Sequence, residues 1–152
     1  MTEIIMTSSR CECGALELHV KHAPVVQLVC HCSDCRSFSG MPYSELAFFQ
    51  SDGCSVHGEV SSTTMKGGTG IDKSYYSCTS CKKPLYGTVG ALNGAWVILA
   101  NRLFPFKFEP QAHIWTSEKT DDAMIPAGIA QSAIGVPTDI KEVMLASFWG
   151  SE

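Results

Sequence analysis

Seven of the eight cysteines in this 152-residue chain fall into three tight clusters: Cys11-Glu-Cys13-Gly14, Cys30-His-Cys32-Ser-Asp-Cys35-Arg36 and Cys78-Thr-Ser-Cys81. Zinc takes soft donors at tetrahedral corners, with sulfur about 2.3 Å from the metal. In an extended segment residues i and i+2 share a face, so Cys11 and Cys13 can aim at one point. Gly14, directly after them, lets the backbone turn tightly. Cys78 and Cys81 bracket a turn and add two donors, completing a closed four-thiolate shell across about 65 residues of chain. Structural zinc supplies about 10–16 kcal/mol of apparent binding free energy, comparable with the whole stability of a small domain.

The middle cluster places three thiols in six residues. Cys30 and Cys32 share a face and Cys32 and Cys35 bracket a turn, so all three can meet at one ion and leave its fourth position free. Three protein ligands plus an open position is the arrangement of catalytic zinc. His31, between two ligands, points away from the ion by the same alternation. Arg36 adjoins the last thiolate and is a candidate partner for a substrate carboxylate, with Lys73 a second such candidate. Another partition joins the middle cluster to Cys78 and Cys81 and leaves Cys11 and Cys13 free, but it brings five donors where four suffice. Cys54 stands alone after Gly53 and reads as a bystander thiol. The other histidines, His19, His22, His57 and His113, have no ligand-like spacing.

These groups must be carried by short strands. Leu16, Leu18 and Val20 alternate; apolar runs follow at Val25–Val29, Tyr43–Phe49, Tyr75-Tyr76 and Trp96–Leu99; Phe104, Phe106 and Phe108 recur at period two. Turn signals at Gly40-Met41-Pro42, Ser51-Asp52-Gly53 and Gly67-Gly68-Thr69-Gly70 separate them. The expected fold is mainly β. A single helical turn is expected from Ser33 and Asp34 to about Ser39. A C-terminal helix is expected to open on a capping box at Asp139–Glu142, with Ile140, Val143, Met144 and Phe148 on one face. Residues 116–137 read as a long surface loop. The length fits one domain over 1–152, with a core at about 8–116 and a loop and C-terminal segment at 117–152.

A hydrophobic fraction of 45% and a charged fraction of 17% suit a globular chain rather than a disordered one. No apolar run approaches the roughly 20 residues of a membrane helix. The start, MTEIIMTSSR, lacks the apolar stretch of a secretory signal. A net charge of −4 argues against a nucleic-acid surface. Clustered cysteines without an export signal suit the reducing cytoplasm, where they bind metal more often than they pair.

The order Cys-x-Cys-Gly, Cys-His-Cys-x-x-Cys-Arg, Cys-x-x-Cys resembles the glutathione-dependent formaldehyde-activating enzyme family, which also includes a centromere protein. The resemblance runs from Cys11 to about Trp115. It implies a β-tent of antiparallel sheets, a structural zinc at Cys11, Cys13, Cys78 and Cys81, and a catalytic zinc at Cys30, Cys32 and Cys35. It also implies condensation of glutathione with formaldehyde to S-hydroxymethylglutathione, formally a carbon–sulfur lyase reaction in reverse. Three thiolates leave zinc a weak Lewis acid, so delivery of a substrate thiol is expected rather than hydrolysis. The sequence departs from the family pattern after Cys81, where Lys82 replaces the usual glycine, and after His113-Ile-Trp115, where Asp121-Asp122 stand in place of a tryptophan. The alternative is a non-catalytic binding module with both zinc sites structural, the second closed by Cys54 or a histidine. A redox enzyme on this fold would need Cys54 as its reactive thiol.

Overall fold

The computed structural model describes residues 7–66 and 72–149; the glycine-rich turn signal at 67–70 lies outside them. Among the described residues, eleven strands form two sheets. A three-stranded antiparallel sheet has the order β1 (Thr7–Arg10), β2 (Glu17–Val20), β5 (Cys54–His57). The larger, eight-stranded sheet contains β3 (Val26–Cys30), β4 (Ser44–Phe49), β6 (Val60–Lys66), β7 (Asp72–Cys78), β8 (Pro84–Val89), β9 (Ala95–Leu99), β10 (Ala112–Ile114) and β11 (Ala130–Ser132). Its order is β11-β10-β3-β4-β9-β8-β7-β6, antiparallel except where β10 runs parallel to β3 and β11. Two helices complete the fold, α1 (Ser33–Ser39) and α2 (Thr138–Trp149). The mainly β expectation holds, and no helix among the described residues is long and apolar enough to cross a membrane.

The central strands explain the layering. In β4, Leu46 and Phe48 face one way while Ala47 and Phe49 face the other, and all four are buried. In β9 the same alternation sets Val97 and Leu99 against Ile98. A strand covered on both faces reads as a continuous apolar run, as these two do. Two cores result. One packs Leu46, Phe48, Val97 and Leu99 with α1, α2 and the cysteines of the middle cluster. The other packs Ala47, Phe49 and Ile98 against Leu16, Leu18 and Val20 of the small sheet, with Cys11 and Cys78.

Three expectations need correction. Phe104, Phe106 and Phe108 do not form a strand: Phe104 makes one isolated bridge to Ser8 and is 68% exposed, while Phe106 and Phe108 pack loosely against the second core. Pro105 removes a ladder donor that such a strand would need. The 116–137 segment is not all loop, because β11 pairs with β10 inside it. Val143 lies outside the buried face of α2 at 53% exposure, where Met144 and Phe148 are covered and Ile140 packs partly.

Gly58 joins β5 to β6 and lies against the turn that follows Cys13. Its φ is +115°, and a Cβ there would meet the Ala15 carbonyl oxygen at 2.3 Å. Gly58→Ala is therefore expected to destabilise the protein by more than about 2 kcal/mol. Gly90→Ala, with nothing within 4 Å of its Cβ, should change stability by less than about 0.5 kcal/mol. Urea unfolding of both variants checks the pair.

Candidate functional site

The cysteines gather into two groups on opposite faces of the large sheet. Cys11, Cys13, Cys78 and Cys81 have all four Sγ atoms within 4.8 Å of one another. The Cys11–Cys13 and Cys13–Cys78 sulfur distances are 3.4 Å. A tetrahedron with 2.3 Å arms has edges of about 3.8 Å, so the group has the size of a zinc shell. Both halves are tight backbone turns. The Gly14 N–H donates to the Cys11 carbonyl at 2.9 Å, with Gly14 at φ +79°, and the Leu16 N–H donates to Cys11 Sγ at 3.2 Å. On the other side the Lys82 N–H donates to the Cys78 carbonyl at 2.8 Å. The Cys81 N–H, 3.5 Å from Cys78 Sγ, is the first cause that pulls the Cys78 thiol down to about 6. Amide donors aimed at sulfur stabilise thiolate, the form a metal binds.

Cys30, Cys32 and Cys35 form the second group, again with every Sγ within 4.8 Å of the others and all three buried. Among the described residues no fourth Cys, His, Asp or Glu atom joins them. Cys30 ends β3, and Cys32, not Ser33 or Asp34, caps α1: its Sγ accepts the Cys35 N–H at 3.4 Å. Hydrogen bonds from Cys30 and Cys35, then the Cys35 amide and the charge of Lys73, pull the Cys32 thiol well down. The bond to Cys32 pushes Cys30 up, and the bonds to Cys30 and Cys32 push Cys35 up. Three thiols this close hold one negative charge between them unless a cation neutralises the others. The partition that joins Cys78 and Cys81 to the middle cluster is excluded by this arrangement.

A cavity of about 510 Å³ opens beside the triad, with Cys30, Cys35, Leu46, Phe48, Lys73 and Trp115 in its lining. Lys73 therefore sits in the same cavity as the sulfurs. Arg36 is engaged elsewhere: its guanidinium donates to the carbonyls of His31, at 3.0 Å, and of Glu118. Glu118 also accepts the Ser33 N–H at 2.9 Å, so one short 3₁₀ turn after Trp115 holds both ends of α1's first turn. Cys54 lies on the small sheet against the second core, away from both groups. Burial, then Asp52, pushes its thiol up to about 12, which suits a bystander and not a redox nucleophile.

Sequence spacing missed one pair. His31 is fully buried, its Nε2 lies 2.9 Å from His113 Nδ1, and the rings stack. Burial lowers the pKa of both, keeping the pair neutral. His113 arrives through the parallel pairing of β10 with β3, in which Ile114 stands opposite Cys30; their 82-residue separation left no local signal. The polar hollow beside Cys11 pairs Arg10 with Glu17 at 2.6 Å and Lys83 with Glu12 at 2.7 Å, and its third cation, Arg102, donates to the Pro84 carbonyl at 2.8 Å.

Lys82 sits at φ +66° in the left-handed region, the conformation glycine adopts without penalty. Its side chain is exposed and lies outside both sulfur groups. Lys82→Gly is expected to stabilise the protein by roughly 0.5–1 kcal/mol, read as a raised unfolding midpoint. An unchanged or lowered midpoint would refute strain at this turn.

The sequence model described as glutathione-dependent formaldehyde-activating enzyme matches residues 6–118. No curated protein sequence is significantly similar to the chain. The fold resembles the crystal structure of a Rhodobacter sphaeroides protein with a TM-score of 0.50 and 19% identity, over 66% of this chain and 90% of that one. At that identity the likeness concerns the fold alone.

Proposed function

This chain belongs to the glutathione-dependent formaldehyde-activating enzyme family, and we propose that it is a zinc-dependent enzyme of carbon–sulfur chemistry. In this reading it joins a thiol such as glutathione to formaldehyde, or a similar small electrophile, and releases the adduct in the reverse direction. The observation that carries the reading is the contrast between the groups: four sulfurs can close one shell, whereas the buried triad has no fourth ligand among the described residues and borders a cavity through Cys30 and Cys35. Cys11, Cys13, Cys78 and Cys81 would hold a structural ion, and Cys30, Cys32 and Cys35 a catalytic one. We take residues 1–152 to act as one domain. Eight unpaired cysteines suit a reducing compartment such as the cytoplasm.

Zinc bound by the triad would supply an open position at which a thiol is held and loses its proton near neutral pH. The chain's own residues do the rest. Cys32 accepts the Cys35 amide, which fixes the sulfur's direction before any ligand arrives. The neutral His31–His113 pair locks the backbone between Cys30 and Cys32 from behind. Arg36 ties α1 to the chain after β10 through the Glu118 carbonyl, so the third sulfur keeps its place. Lys73 offers the cavity a positive charge for a carboxylate on the thiol. In the forward reaction the sulfur lone pair forms the new S–C bond as the carbonyl π bond breaks onto oxygen. That oxygen takes up a proton equivalent to the one the thiol lost, so the charge balances.

Adduct formation from glutathione and formaldehyde, followed by NMR, is expected to run above the spontaneous rate with the wild type and at that rate with Cys32→Ala. Equal rates for both would refute the activity, provided melting shows the variant folded. Zinc analysis is expected to give two ions per chain, falling to one in Cys32→Ala. Stripping with a strong chelator should lower the unfolding midpoint sharply, because the four-cysteine ion bridges segments about 65 residues apart. X-ray absorption should find one all-sulfur shell and one with a light-atom neighbour; two all-sulfur shells would favour a non-catalytic module.

A further inference from the structure

The cavity beside Cys30 and Cys35 has a wall that lies outside the family match. The match ends at residue 118, yet Ile134, Val136, Lys141, Met144 and Leu145 all line the cavity. They come from the chain after β11 and from α2, and they stand with Leu46, Phe48 and Trp115 of the matched part. Among the described residues, the charged side chains on this lining apart from the cysteines are Lys73 and Lys141, the Trp115 indole adds one N–H, and no hydroxyl, amide or carboxyl side chain is present. Ile134 is 66% exposed and Leu145 39%, so uncovered hydrocarbon continues out to the rim. Trp115 holds φ +57°, a conformation that bulky residues adopt rarely, and it packs against the core below α1 and α2. A strained residue retained at a cavity wall is a mark of a shaped site.

Such a lining is poorly matched to a tripeptide. Glutathione carries two peptide N–H groups for which no described side chain of the lining offers an oxygen acceptor, a costly burial. Its two carboxylates could meet the two lysines, but its ammonium group finds no carboxylate partner among the described lining residues. An apolar body satisfies the wall, and one carboxylate suffices to engage Lys141.

We propose that this cavity selects thiols whose sulfur is carried on an aryl or branched-alkyl body ending in one carboxylate, in preference to glutathione, and that the 134–145 segment sets this choice. The proposal rests on the reading of the triad as a thiol site. Lys141, exposed on α2, meets the carboxylate at the mouth, and Leu145 supplies apolar surface beside it.

Calorimetric titration of the zinc-loaded full chain tests the selection with four probes: 4-(mercaptomethyl)benzoate, benzyl mercaptan, glutathione and the sulfur-free 4-ethylbenzoate. The aryl thiol carboxylate is expected to bind at least about tenfold more tightly than glutathione. Leu145→Glu should weaken both aryl thiols roughly tenfold, and Lys141→Glu should weaken the carboxylate probe roughly fivefold or more while sparing benzyl mercaptan. Both positions are exposed, and melting curves verify that the variants fold. Glutathione binding as tightly as the aryl thiol, absence of aryl thiol binding, or insensitivity to Leu145→Glu overturns the proposal. Equal losses for both aryl thiols in Lys141→Glu overturn the assignment of the carboxylate. If 4-ethylbenzoate binds as tightly as its thiol counterpart, the apolar selection stands and thiol delivery by the triad falls.

Discussion

Strands β4 and β9 bury both of their faces, and that double burial places everything else in the molecule. Side chains alternate along a strand, so Leu46 and Phe48 must enter one core when Ala47 and Phe49 enter the other. A one-residue slip would exchange the two sets, placing bulky Leu46 and Phe48 where the small sheet leaves room for Ala47. The eight-stranded sheet is therefore a partition. One face carries the triad, α1 and α2; the opposite face carries the small sheet and the four-cysteine group.

The two groups differ in what surrounds the sulfur. Cys11–Gly14 and Cys78–Lys82 are chain reversals whose amides donate back to the first residue of each turn or to its sulfur. They meet at the join between the sheets, where a cross-link between distant segments constrains the unfolded chain most. The triad instead runs from the end of a buried strand into a short helix. Cys30 and Cys35 border a cavity, and the segment is held by the His31–His113 hydrogen bond and by Arg36 donating to the His31 and Glu118 carbonyls. Supports of this kind orient metal ligands without touching the metal.

Lys82 and Trp115 illustrate two uses of the left-handed backbone region. Lys82 occupies it in a turn that glycine would serve better, its backbone closing the Cys78 turn while its exposed side chain lies outside both sulfur groups. Trp115 occupies it at the wall of the triad's cavity, and the Glu118 N–H closes back onto its carbonyl at 3.0 Å. The same conformation is incidental in the first case and shapes the site in the second. Beyond this point the chain leaves the matched family region, and α2 returns to the cavity through Met144.

Each short cysteine cluster was legible in the sequence because it is local: Cys-x-Cys and Cys-x-x-Cys bring sulfurs together through backbone geometry that short segments set by themselves. Strands with strict alternation or continuous apolar runs were legible for the same reason, since burial of one or both faces leaves a periodic trace. The failures were non-local. Phe104, Phe106 and Phe108 carry the trace of a strand, but a ladder needs donors and a neighbour; Pro105 removes one donor, and among the described residues the segment makes one bridge, to Ser8. β11, the His31–His113 pair and the Glu118 clamp on α1 depend on β10 lying parallel to β3 and β11. So does the meeting of Lys73, Trp115 and Lys141 around one cavity, which needs three distant segments docked on one sheet face. Sequence periodicity records which side of an element is covered; which partner covers it is decided by packing between elements, and only the tertiary structure contains that choice.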